Sequence, residues 1–119
     1  MKFFHEDEFR CQHCGSLSGM DWDFAREIDS LRERVGFPLI ISSAYRCSEH
    51  PIEARKDKPG SHNTGRAVDV AVTGEQALKV IHAALDSGFQ RVGVQQKGSG
   101  RFIHLDKAHG FPAPAIWSY

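Results

Sequence analysis

Apolar residues recur at helical spacing early in the chain, where Phe24, Ile28, Leu31 and Val35 follow Asp21 and precede Gly36. Such a repeat between a good N-cap and a terminating glycine predicts a helix over 22–35 with one face against a core. Pro38 then opens PLIISSAY, whose β-branched and aromatic content predicts a buried strand ending near Tyr45 and delivering Tyr45 and Arg46 at its C-terminal end. From Cys47 to Thr64 the chain has few apolar residues, two prolines and no sustained period. That stretch is expected as a long surface loop, and loops of this length inside a compact domain usually carry function. In GRAVDVAV, Ala67, Asp69 and Ala71 alternate with Val68, Val70 and Val72, which predicts a strand with an acid opposite a valine face. Thr73 caps a second predicted helix, with Ala77, Leu78, Ile81, Ala84 and Leu85 inward and Gly88 at its end. RVGVQ at 91–95 and RFIHLD at 101–106 flank the turn-forming KGSG and predict a hairpin. The tail AHGFPAPAIWSY, with its prolines and terminal aromatics, is expected as an extended segment packed over the sheet edge.

A chain of 119 residues is one domain, 1–119, with no internal repeat. Hydrophobic residues at 40% and charged residues at 25% match a folded globular protein and exclude disorder and a coiled coil. Lys plus Arg and Asp plus Glu balance at 15 each, which argues against a nucleic-acid partner bound through phosphate neutralisation. No run of about 18 apolar residues exists to insert into a membrane, and the acidic N-terminus MKFFHEDEFRC is unlike a secretion signal. Synthesis in the cytoplasm without a signal peptide is the expectation.

Against this neutral background, His62, Asp69 and His104 fall where strand patterning prefers apolar residues or where the long loop meets the sheet. Two imidazoles and one carboxylate, spaced H-x6-D-x34-H, form a ligand set suited to zinc with a fourth position left for water, the composition of a hydrolytic site. Gly65 allows a tight turn into the strand, and small Ala67 leaves room beside Asp69. His104 and Asp106 share one strand face, with Ile103 and Leu105 on the other.

The words SSAYRC, SHNTGRAVDV and FIHLD, with the closing PAIWSY, resemble the M15 family of zinc D-Ala-D-Ala carboxypeptidases and peptidoglycan endopeptidases, especially its short phage endolysin-like members. The resemblance runs from about Phe3 to Tyr119, and S-H-x-x-G-x-A-x-D is its most specific word. It implies an α+β fold of the kind shared by D,D-peptidases and the Hedgehog signalling domain, a small antiparallel sheet with two main helices to one side. It implies His62, Asp69 and His104 as ligands of a catalytic Zn2+. It also implies Arg46, with Tyr45 and Ser43 of the same word, as substrate-binding. The implied substrate is the peptide of peptidoglycan, reached by a monomeric enzyme when phage or prophage lysis releases it to the cell wall. One departure stands out. Many family members carry an acid three residues before the last ligand, and here that residue is Arg101. Asp106 is then the first candidate for general base, with the alternative that it holds a ligand imidazole, and His109 is a weaker candidate.

Three cysteines cannot all pair within one chain. Cys11, Cys14, Cys47 and His50, spaced C-x2-C-x32-C-x2-H, match the Cys3His sets of structural zinc sites, against buried free thiols or a Cys11 to Cys14 disulfide. His13 could at most replace His50. His5 and His82 read as surface residues, Trp22 and Trp117 as packing residues, with Trp117 and Tyr119 also placed to line a glycopeptide groove. Ser42, Ser43 and Ser61 lack the strained elbow of a serine nucleophile. Beside the peptidase, two other classes stay open: a zinc-containing module that binds the cell wall without cutting it, and a structural zinc protein that uses only the cysteine cluster.

Overall fold

The computed structural model describes residues 1–119. After a 3-10 turn at Glu6–Phe9, helix α1 (Trp22–Val35) starts where the Asp21 carboxylate accepts the backbone N–H groups of Asp23 and Phe24. Gly36 ends it at φ 80°, a left-handed conformation that favours glycine. Strand β1 (Ile41–Ser43), the one-turn helix α2 (Pro51–Ala54), a 3-10 turn at Ser61–Thr64 and strand β2 (Ala67–Val70) follow. Helix α3 (Gly74–Asp86) leads into β3 (Arg91–Gln95), β4 (Phe102–Asp106) and β5 (Ala115–Ser118).

The five strands form one sheet in the order β1-β2-β4-β3-β5. Every pairing is antiparallel except that of β5 with β3, which is parallel. The fold is α+β as expected, but its sheet is mixed, because the tail does not merely cover the edge: it joins as a strand. Val68, Val70, Ile103, Leu105 and Val92 pack with Phe24, Ile28, Leu31 and Val80 in one core beneath the sheet.

The register builds the other face. Ser43 lies opposite Asp69, Asp69 opposite His104, His104 opposite Gly93, and Gly93 opposite Trp117. The neighbouring row runs Ala67, Asp106, Arg91, Ala115. Strand side chains alternate between faces, so both rows point away from the valine core.

Four expectations need correction. The strand over 38–45 is short and not buried: only Ile41–Ser43 pair, at the sheet edge, and Ile40 is 67% exposed. A register irregularity between Ile41 and Ser43 interrupts the pairing with β2. The long loop contains α2, started by Pro51 and capped by the His50 ring, and the turn at Ser61–Thr64. On α3 the buried stripe is Ala77, Val80, Ala83 and Ala84, while Leu78 and Leu85 face outward. Small side chains let α3 lie close to α1 and β4, with which it is in contact. Thr73 occupies the N-cap of α3, but its side chain makes no cap bond.

The N-terminal segment is tied down by one acid. Asp29 of α1 accepts the backbone N–H groups of Lys2, Phe3 and Phe4 at 2.9, 2.8 and 3.1 Å, which brings Phe4 edge-on to Phe9. Burial alone would raise this carboxyl, but those N–H donors hold it below its ordinary value of 3.8. Its stabilising contribution is therefore present above the unfolded value and lost as pH falls through the lowered folded one. Asp29→Asn is expected to cost about 1–3 kcal/mol in urea unfolding at neutral pH. The gap from wild type should narrow in acid below the ordinary carboxylate value, and an unchanged gap there would show that the carboxylate charge is not what anchors the segment.

Candidate metal centre

Three segments deliver donor atoms to one point. The turn at Ser61–Thr64 carries His62, β2 carries Asp69 and β4 carries His104. Gly65, at φ 76°, makes the bend between turn and strand; a Cβ there would run into the Gly19 carbonyl oxygen and come within 2.8 Å of the Asp21 nitrogen. His62 Nε2 lies 3.2 Å from Asp69 Oδ1, and His104 Nδ1 lies 3.0 Å from the same oxygen. All three residues are buried, and one ligand atom from each falls within 4.8 Å of the others.

The outer partners assign the protons. His62 Nδ1 is 2.7 Å from the Ala44 carbonyl oxygen, which can only accept, so this nitrogen carries the hydrogen and Nε2 presents a lone pair. His104 Nε2 is 2.6 Å from Asp106 Oδ2, which places a proton there, so that the neutral ring presents the Nδ1 lone pair toward Asp69. Three electron-rich atoms then face one another out of water. The arrangement calls for a positive charge at its centre, and a divalent cation supplies one. The residues fit a metal on the chemistry of the donor set alone.

The titration tendencies reflect the same demand. Burial lowers the His62 imidazole despite the neighbouring Asp69. Burial would also lower His104, but hydrogen bonding and charge from Asp106 and Asp69 outweigh it and raise that ring. Burial would raise Asp69, yet His104 and His62 hold it far below the carboxylate range.

Asp106 stands behind His104 with both oxygens engaged. Oδ2 meets the imidazole, and Oδ1 accepts from Arg91 Nε at 2.7 Å and from the Ala108 N–H at 3.1 Å. Arg91 also donates to the Pro112 carbonyl at 2.6 Å and lies against the Phe111 and Trp117 rings. Of the two roles open to Asp106, these surroundings match the holding of a ligand imidazole, as metal-ligating histidines generally require of an acceptor behind them. Arg91 escapes a motif-based reading; the available signal is its cross-strand position opposite Asp106. Gly93 escapes it too, although a Cβ there would meet Trp117 Nε1 at 2.7 Å and His104 Cβ at 3.0 Å. Its missing side chain lets the indole lie 5.2 Å from the His104 ring.

Arg46 reaches the centre from beyond β1. Its Nε donates to Ser43 Oγ at 3.1 Å and its Nη2 lies 3.5 Å from Asp69 Oδ2. Ser43 therefore orients Arg46. Tyr45 is partly buried and packs against Gly19, at a point where a Cβ would collide with its ring. Arg101 lies exposed at the hairpin, its Nε on the Gly98 carbonyl, and His109 is exposed on the segment after β4. Cys11, Cys14 and Cys47 also converge, with sulfurs within 4.8 Å of one another. His50 is not among that group: its Nδ1 accepts the Ile52 N–H at 3.1 Å.

A family model described as Peptidase M15 matches residues 2–106. The chain belongs to the M15 peptidase family. No curated protein matches it. Membership makes the chain a peptidase, and in this M15 peptidase the residues of the family-like words SHNTGRAVDV and FIHLD are those that supply the converging donors.

Asp106→Asn separates the two roles of that acid. A residue that acts through His104 should weaken divalent-metal affinity by about 10–100-fold while hydrolysis returns toward wild type at saturating metal. Hydrolysis that stays lost at full occupancy, measured on the same sample, would make Asp106 the proton carrier.

Proposed function

We propose that this chain is a zinc peptidase that hydrolyses an amide bond in the peptide stems or cross-links of bacterial peptidoglycan. The convergence of His62 Nε2, Asp69 Oδ1 and His104 Nδ1 carries the reading. Two neutral imidazoles and a carboxylate suit zinc, and three protein ligands leave a position for water. The peptidoglycan substrate rests on the resemblance of the S-H-x-x-G-x-A-x-D and S-x-Y-R words to wall-cutting M15 enzymes.

The chemistry a bound zinc supplies is Lewis acidity, which makes a coordinated water acidic near neutral pH and polarises an amide carbonyl. The chain's own residues do the rest. His62, Asp69 and His104 hold the ion, the first through a ring locked by Ala44 and the last through a ring locked by Asp106. Arg46, steadied by Ser43, offers guanidinium N–H groups to a substrate carboxylate or to the oxygen that gains charge as the amide is attacked. Trp117 packs against His104 and walls one side. We place the enzyme's action at the cell wall after release from the cytoplasm by phage or prophage lysis, as a monomer with no nucleic-acid partner.

A second reading, a zinc-containing module that binds the wall without cutting it, draws on Arg101 where an acid is common and on the full engagement of Asp106. One experiment decides between them: the appearance of new amino groups and shortened peptides when purified muropeptides are incubated with zinc-loaded wild type, His104→Ala and Arg46→Lys. The peptidase reading expects turnover by wild type, background rates for His104→Ala with unchanged circular dichroism, and a loss of about 10²-fold or more for Arg46→Lys. Tight muropeptide binding by wild type without turnover would establish the module instead, and turnover by a folded His104→Ala would remove the triad from the mechanism.

A further inference from the structure

The cysteine cluster takes no part in the reading above. Cys11 and Cys14 lie on the N-terminal loop and Cys47 directly follows Arg46, so residues far apart in sequence bring three thiols together, none of them in a disulfide. Cys11 is fully buried, Cys47 half-buried and Cys14 exposed. The Cys47 N–H donates to Cys11 Sγ at 3.3 Å. Gly15, at φ 73°, turns the loop, and its N–H donates to the Cys11 carbonyl at 2.8 Å. A backbone N–H donated to a sulfur stabilises its thiolate form.

Three thiolates held this close repel one another unless a soft cation sits among them. With Zn–S bonds of about 2.3 Å, a tetrahedral ion puts sulfurs about 3.8 Å apart, inside the 4.8 Å limit that bounds this cluster. We propose that Cys11, Cys14 and Cys47 hold a structural zinc ion, separate from the His62–Asp69–His104 centre, and that His50 is not one of its ligands. The exclusion of His50 follows from its cap. Because Nδ1 accepts the Ile52 N–H, the neutral ring keeps its proton on Nε2 and has no lone pair for a metal. The ion joins the N-terminal loop to the residue beside Arg46. It thereby fixes from outside a segment that β1, with so few paired residues, holds weakly.

Cobalt(II) is the probe, because thiolate ligands give it a near-ultraviolet charge-transfer band that imidazole and carboxylate ligands do not. In the reduced protein the band should appear in wild type, persist in His104→Ala and His50→Gln, and vanish in Cys14→Ser and Cys47→Ser. Each cysteine variant should also lose about one equivalent of bound metal. Because a cysteine variant could fail to fold, the wild type is measured alone as well: zinc should protect its thiols from a disulfide reagent, and a chelator should expose them. Absence of the band in wild type, or thiol reactivity indifferent to metal, would overturn the site. Loss of the band in His50→Gln would overturn the exclusion of His50. None of these outcomes depends on muropeptide hydrolysis, so this assignment and the peptidase reading fail separately.

Discussion

The pairing of β2 with β4 in a single register is the constraint on which the site depends. It sets Asp69 opposite His104 and Ala67 opposite Asp106, so one carboxylate lies beside the imidazole and the other behind it. A slip of one residue would turn both acids and the histidine into the hydrophobic core and bring valines to the polar face. Burial of Val68, Val70, Ile103 and Leu105 against α1 and α3 makes that slip prohibitive. The apolar face thus chooses the register, and the register assembles the chemistry. Catalytic geometry is here a by-product of where the oil goes.

Apart from Arg46 Nη2, 3.5 Å from Asp69 Oδ2, the contacts that hold the centre lie on its periphery. Ala44 and Asp106 satisfy the outward nitrogens, Arg91 and the Ala108 N–H satisfy Asp106, and Ser43 steadies Arg46. What remains inside are lone pairs that repel. Such a site is held open by its surroundings rather than by its own attractions, which is the arrangement expected of side chains preorganised for an ion. The cost of keeping them together falls on the core packing of the opposite face.

Features set by neighbours in the chain were legible in the sequence, and those set by partners across the sheet were not. Helix 22–35 announced itself through Asp21, a helical repeat and Gly36, all local. His62, Asp69 and His104 stood out because polar residues interrupt strand alternation and sit in specific words. By contrast, the inward face of α3 is three alanines and Val80, a stripe that only the close approach of α1 explains, and the large Leu78 and Leu85 misdirect a reading by hydrophobicity. The value of Gly93 depends on Trp117 lying across from it, and that of Arg91 on Asp106, pairings made by register rather than by sequence distance. His50 shows a subtler failure: the spacing to Cys47 is right for a ligand, but Pro51 begins a helix whose cap takes the nitrogen.

The parallel pairing of β5 has an effect that its edge position conceals. Because β3 lies between β4 and β5, the chain cannot return by a tight hairpin, and residues 107–114 must cross the N-terminal end of β3, at Arg91. That crossing lays Phe111 and the Pro112 carbonyl over Arg91, with Trp117 on its flank, and leaves the Asp106 side chain with no exposed surface. With water shut out, the field of the carboxylate at His104 is felt at a lower effective permittivity than any surface acid could exploit. Strand order thereby sets the dielectric environment of a histidine, and with it the electron-donating strength of the ring that Asp106 supports.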